Sequence, residues 1–145
     1  MGTVNLNEIN ITPLKRISTP GGDVMRAMKC TDLGYLGFGE VYFSWVEAGM
    51  VKAWKCHQKT SLNLVVPLGN VRFVFYQEGS EPAFRTEVIG EARYARLTVP
   101  PRYWFGFQGL EGKSSLLMNV TDLPHDPAEV LRKSIEEIKY DWSGV

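Results

Sequence analysis

Four ionisable side chains, Lys52, Lys55, His57 and Lys59, crowd one short apolar segment, Gly49-Met50-Val51-Lys52-Ala53-Trp54-Lys55-Cys56-His57-Gln58-Lys59-Thr60. A lysine or histidine held in an apolar strand is costly unless it has a partner or a task. The tasks open to these types are anion binding by an ammonium group and proton transfer by an imidazole or by an amine whose pKa burial has lowered. Period-two alternation predicts Ala53, Lys55 and His57 on one face of a strand, and Lys52, Trp54 and Cys56 on the other. Lys55 has a plainer reading as well, a solvated ion pair with Glu40 or Glu47 that has no task. His57, taken alone, is either a hydrogen-bonded structural histidine or a catalytic one.

Such a segment needs a scaffold to hold it, and the rest of the chain supplies β-like runs between turn signals. Val24 to Cys30, Val41 to Val46, Val51 to His57, Leu62 to Leu68, Val71 to Tyr76, Phe84 to Ile89, Tyr94 to Val99 and Ser115 to Val120 all read as strands. Leu68-Gly69-Asn70 predicts a hairpin turn, and Pro100-Pro101 ends the strand before it. The C-terminus changes character. Asp126-Pro127-Ala128-Glu129 combines an N-cap, a proline at the first helical position and an acid three residues after the cap. Leu131, Ile135 and Ile138 follow at i, i+4 and i+7, so one amphipathic helix is predicted over about 127–139, docked on the exterior of an all-β sandwich or barrel.

At 145 residues, with 44% hydrophobic and 12% aromatic content, the chain predicts a single globular domain over 1–145. Sixteen basic and sixteen acidic residues cancel, which argues against a general nucleic-acid or membrane-surface binder. A local cationic cluster still suits a phosphorylated small molecule. No apolar run reaches transmembrane length, and the first residues lack the pattern of a signal peptide. Cys30 and Cys56 form no CxxC pair and read as reduced thiols, so a cytoplasmic location is expected.

The cupin metal pattern tests whether a metal belongs here. That pattern asks for a His-x-His pair and a glutamate after the glycine of a first motif, and for a histidine after Pro-x-Gly in a second. Gly49 is instead followed by Lys55-Cys56-His57, with no glutamate within reach of Thr60 or Ser61. The second motif reads Pro100-Pro101-Arg102-Tyr103-Trp104-Phe105-Gly106-Phe107, with arginine for glycine and phenylalanine for histidine. One surviving histidine cannot hold a metal, so neither a metal nor another cofactor is expected.

The same segments, in order, resemble a metal-free cupin family, the dTDP-4-dehydrorhamnose 3,5-epimerases and their shorter relatives. The resemblance runs through Gly21-Gly22-Asp23-Val24-Met25, Phe38-Gly39-Glu40-Val41, Gly49 to Thr60, Leu64 to Tyr76, Val99 to Phe107 and Tyr140-Asp141-Trp142. It implies an all-β double-stranded β-helix (cupin jelly roll) that forms a homodimer, often with an N-terminal strand paired to the partner. It also implies a nucleotide-linked 4-keto-6-deoxysugar, a dTDP-sugar first, in polysaccharide or deoxysugar biosynthesis.

The chemistry implied is removal of a proton beside a ketone and its return from the opposite face, which needs a base, an acid and a group to steady the enolate. Lys55 stands at the place of the family's base histidine, Met118 at that of its acid tyrosine, Phe105 at that of the second-motif histidine and Gly21 at that of an arginine. Lys52 keeps its basic type. Lys55 and His57 are thus the catalytic candidates. Lys52 and Arg26 would meet a phosphate or sugar oxygen. Tyr103 and Trp104 would stack on a base or sugar ring unless they are core, and Asn119 would orient a polar group. The alternative is a ligand-binding cupin that has lost the epimerase chemistry.

Overall fold

Runs of β-branched and aromatic residues form strands wherever each can bury one face, and here they form two packed sheets. The structure, a computed structural model, describes residues 5–110 and 112–144. The strands are β1 (Asn10–Pro13), β2 (Arg16–Ile17), β3 (Val24–Met25), β4 (Glu40–Val46), β5 (Val51–His57), β6 (Leu62–Leu68), β7 (Asn70–Gln77), β8 (Ala83–Gly90), β9 (Ala95–Val99), β10 (Trp104–Gly109), β11 (Ser115–Thr121) and β12 (Val130–Arg132). The first sheet has the order β1-β9-β6-β11-β4 and the second β12-β5-β10-β7-β8, while β2 and β3 make a separate ribbon. Every pairing of these strands is antiparallel.

From β4 to β7 the chain changes sheet at each connection, the winding of a jelly roll. This is why Leu68-Gly69-Asn70 does not make the predicted hairpin. The turn carries the chain from β6 in one sheet to β7 in the other, with Gly69 at φ 81°. The hairpin forms one strand later, where β7 pairs with β8 from Asn70↔Gly90 to Gln77↔Ala83. The sequence reading also passed over β10, which becomes the middle strand of the second sheet between β5 and β7. The strand expected over Val24 to Cys30 shrinks to Val24–Met25.

Between the sheets lies a core that includes Leu62, Leu64, Val66, Phe73, Phe75, Leu97, Phe105, Phe107 and Leu117. A second cluster lies on the outer face of the second sheet, where Trp54, Cys56, Val74 and Trp104 pack with Ile138, Tyr140 and Trp142 of the C-terminal segment.

The predicted helix over 127–139 does not form. The Asp126 cap is real, since its side chain accepts a hydrogen bond from the Ala128 N–H, but it opens only a 3-10 turn at Pro127–Glu129. The chain then extends into β12, pairing Val130↔His57, Leu131↔Cys56 and Arg132↔Lys55. Lys133 and Trp54 exchange backbone hydrogen bonds just beyond. An open edge on β5 offers the backbone these partners together with burial of Ile138, and an isolated short helix offers less than both. The exterior docking of this segment therefore survives without its helix.

Candidate functional site

Strand β5 carries the candidate site residues Lys52, Lys55 and His57, and a bulge decides which side chains share a face. Its register against β10 runs Cys56↔Trp104, Lys55↔Phe105, then Lys52↔Phe107, so three steps on β5 span two on β10. The extra residue lies at Ala53–Trp54, opposite Gly106. A Cβ at Gly106 would collide with the Cβ of Ala53 and crowd the Trp54 ring, so only glycine fits there. Uniform alternation puts Lys52 opposite Lys55. The bulge instead returns Lys52 to the inward register with Lys55, each facing a core phenylalanine of β10.

Lys55 and His57 both lie against Phe105. The Lys55 Nζ sits 5.9 Å from the ring centroid, and the imidazole stacks on the same ring at 6.4 Å. Lys55 makes no ion pair with Glu40 or Glu47 among the described residues. Its pKa falls below the ordinary lysine value because burial penalises the ammonium, with Arg132 and Lys52 adding repulsion. Lys52, Lys55, Arg132 and Lys133 line one cavity of about 310 Å³ together with Ala53 and Trp54. Among the described residues its charged walls are all cationic, and one of them, Lys133, is ion-paired with Glu78 at 2.8 Å. Arg132 and Lys133 reach it through β12, so the sequence reading missed them.

His57 is 8% exposed and is gripped from one side. Its Nδ1 lies 2.6 Å from Glu129 Oε2, while its Nε2 is buried with no hydrogen-bond partner. The other Glu129 oxygen accepts from the Lys59 and Thr60 backbone N–H groups at 3.0 and 2.9 Å. Burial opposes ionisation of Glu129, but these N–H groups and His57 outweigh it and hold its pKa down to about 2. Burial lowers the His57 pKa, and Glu129 pulls only part of the way back. A neutral imidazole that donates from Nδ1 to a carboxylate leaves a lone pair on Nε2. Sequence reasoning missed Glu129, taking it for a helix-capping acid. Its real signal was an acid placed directly before the segment that pairs with the open edge of β5.

From the opposite sheet, Tyr42 on β4 and Asn119 on β11 form a cross-strand pair, with Asn119 Nδ2 donating to the Tyr42 hydroxyl at 3.0 Å. Asn119 Oδ1 is buried and unpartnered. Burial raises the Tyr42 pKa against the bond from Asn119, and the charges of Glu40 and Glu129 raise it further. Tyr42 therefore keeps its proton and can donate it.

The remaining candidates sit elsewhere. Tyr103 is buried in the main core, its hydroxyl bonded to the Asn5 carbonyl and to Glu8 at 2.5 Å each. Trp104 lies on the outer face, its Nε1 donating to Glu78 at 3.2 Å and its ring covered by Lys133 at 4.7 Å. Arg26 lines a second cavity of about 690 Å³ under the β2–β3 ribbon, walled also by Lys15, Met28 and Arg96. The chain does not bring these three to the cavity of Lys52 and Lys55. No group of three or more His, Cys, Asp or Glu among the described residues could hold a metal ion.

No protein-family model and no curated protein matches this sequence. Solved structures do. A dTDP-sugar isomerase from Desulfovibrio desulfuricans superposes with a TM-score of 0.88 at 29% identity, covering 94% of this chain and 92% of that one. A sugar 3,4-ketoisomerase from Thermoanaerobacterium thermosaccharolyticum, solved with TDP, gives 0.73 at 17% identity, over 92% and 96% of the two chains. A dTDP-4-dehydrorhamnose 3,5-epimerase from Sulfolobus tokodaii gives 0.77 at 17% identity, over 97% and 85%. The fold is that of the dTDP-sugar epimerase and isomerase cupins. Within this cupin Phe105 is the ring between Lys55 and His57. Met118 pairs with the outward, exposed Phe43, whereas its neighbour Asn119 pairs with Tyr42 and faces the interior.

Proposed function

We propose that this cupin isomerises or epimerises a nucleotide-linked 4-keto-6-deoxysugar, with a dTDP-sugar as the first substrate to test. The observation that carries this is the buried His57–Glu129 pair, whose Nε2 has no hydrogen-bond partner, two residues along β5 from Lys55, which lines a cationic cavity. The cations suit a diphosphate, with Lys52 and Arg132 taking its charge. His57 Nε2 takes the proton from the carbon beside the ketone, and Glu129 steadies the imidazolium that forms. Lys52, whose exposed Nζ donates to the Trp45 carbonyl at 3.1 Å, would have to leave that bond to meet a ligand oxygen. Tyr42, reaching in from the other sheet with Asn119, is placed to return a proton on the opposite side of the ring. The ordered resemblance in sequence and the sugar-nucleotide chemistry named for the structural neighbours support the same substrate class.

The test is solvent deuterium uptake at the carbon beside the ketone, followed by NMR or mass spectrometry with dTDP-4-keto-6-deoxyglucose in deuterated water. Wild type takes up deuterium, and His57→Asn lowers the rate by roughly 100- to 10,000-fold while the nucleotide still binds. Binding without any exchange in the wild type would mean a ligand-binding cupin.

The protein works as a homodimer in this proposal. Strand β4 is the edge of the first sheet, and its outward side chains Val41, Phe43 and Trp45 are exposed, the last two at 60% and 58%. Phe38 extends the patch. A contiguous apolar face of this kind marks an interaction surface, and a second copy of the chain is the occupant expected. Sedimentation should give twice the chain mass, and Phe43→Asp with Trp45→Lys should give monomers. The two cysteines are free, in keeping with a reducing cytoplasm where deoxysugar nucleotides for polysaccharides are made.

A further inference from the structure

Lys55 is placed for more than charge. It lines the cationic cavity and lies against the same Phe105 ring as His57, two residues from that proposed base. Inward positions two apart lie about 7 Å from each other along a strand, so a flexible amine and an imidazole can reach adjacent carbons of one sugar ring. No carboxylate pairs with Lys55 among the described residues; its Nζ lies over the Phe105 ring, and Lys52 and Arg132 share its cavity. An amine desolvated against an aromatic ring and beside other cations is the environment that turns lysine into a nucleophile toward carbonyls. Burial and the two cations lower its pKa, which raises the share of free amine.

We propose that Lys55 forms a covalent iminium with the ketone carbon of the sugar, so that the proton is removed from an iminium rather than from a ketone. The inference rests on the keto-sugar function proposed above. The free amine of Lys55 attacks the carbonyl carbon, the C=O pair moves to oxygen, and one proton taken from solvent lets water leave to give C=NH⁺; that proton returns to solvent when the iminium is hydrolysed. His57 Nε2 then takes the proton from the neighbouring carbon, and that electron pair moves into the C–C bond to give a neutral enamine. Reprotonation at the same carbon restores the iminium, and water adds to release Lys55 and the ketone. The water lost is the water regained, and no oxidant or reductant enters.

A consequence follows for the type of reaction. Moving the ketone to the neighbouring carbon through this enamine would leave nitrogen on the sugar, whereas inversion at that carbon releases the lysine cleanly. Lys55 chemistry therefore makes the protein an epimerase at the carbon beside the ketone, and not a ketone-shifting isomerase.

The experiment incubates wild type with dTDP-4-keto-6-deoxyglucose and sodium cyanoborohydride, which reduces iminium ions in preference to ketones. Intact mass should show one sugar nucleotide per chain, and peptide mapping should place it on Lys55. Lys55→Arg keeps the positive charge, so a purely electrostatic lysine would tolerate it. The proposal expects no adduct with this variant and deuterium exchange lower by roughly 100-fold or more. Exchange in the wild type without an adduct overturns the iminium and leaves the keto-sugar function standing. So does an adduct confined to another lysine, or Lys55→Arg exchanging like wild type. Absence of exchange from the wild type overturns both.

Discussion

The two faces of β5 are built on opposite terms. Outward, Trp54 is fully buried with its Nε1 donating to the Ile138 carbonyl at 3.2 Å and its ring against Trp142 and Phe84. Cys56 beside it is buried and its thiol pKa is pushed up to about 11, chiefly by burial. Inward, Lys55 pairs with no carboxylate among the described residues, and His57 keeps an unpartnered buried nitrogen. Groups whose needs are met stabilise a fold, while polar groups left unmet in a dry interior are where chemistry is held ready. One strand thus carries satisfied groups on one side and unsatisfied polar groups on the other, and Trp54 at its edge also borders the cavity of Lys52 and Lys55.

Changes on each face should register in different measurements. The largest effect is expected from Trp54→Ala, which removes the centre of the outer cluster. It should cost about 3–5 kcal/mol of stability in denaturant unfolding. If stability barely moved while activity vanished, the outer face would belong to the site as well.

Glu129→Gln comes next and belongs to the inward face. The amide oxygen can still accept from Lys59 and Thr60, but the carboxylate that orients His57 and favours its imidazolium is gone. Deuterium exchange should drop roughly 100-fold at its plateau, the low end of what a positioned acid–base group contributes. The pH profile supplies a second readout. The wild-type rate should rise with pH through the lowered His57 pKa, below 6.5, because the base must be neutral. Glu129 raises that pKa, so its removal should shift the acid limb to still lower pH. A merely structural Glu129 would leave the limb in place.

Stability should follow pH with a separable signature. His57 binds its proton more weakly folded than unfolded, so its contribution is complete above about 6.5 and is lost as pH falls through that value toward the folded pKa. Glu129 is depressed from 4.5 to about 2, so the stability it adds is present above about 4.5 and is lost as pH falls toward about 2. Acid unfolding curves of the wild type and Glu129→Gln should differ in the lower window.

The smallest effect concerns the turn that closes on the site without touching either face. Arg102 holds φ 76°, a conformation disfavoured for any side chain with a Cβ, while its N–H donates to the His57 carbonyl at 2.6 Å. Arg102→Gly should raise stability by about 0.5–1 kcal/mol, after the glycine's own entropy is set against the relieved strain, and should leave exchange unchanged. An altered exchange rate would show that Arg102 reaches the ligand.

The β-rich class, the bounds of β5 and the shared face of Lys55 and His57 were legible because strand alternation is a local property of the chain. Arg102 standing where the motif has glycine was legible too, and the structure shows that the backbone kept the glycine conformation. Other features were not. The Asp126-Pro127-Ala128-Glu129 cap and the spacing of Leu131, Ile135 and Ile138 describe a helix as long as no partner is considered. The unpaired edge of β5 overrode them, drawing in β12 and with it Glu129, Arg132 and Lys133. Lys52 changed faces for a similar reason, since a bulge exists only between two strands and the second strand, β10, was not evident in the sequence. The residue types along β5 and the strand that bears them are therefore fixed by sequence. Which of them meet, and which nitrogen is left free, was decided by strand pairing between segments some seventy residues apart, where geometry and not composition sets the partners.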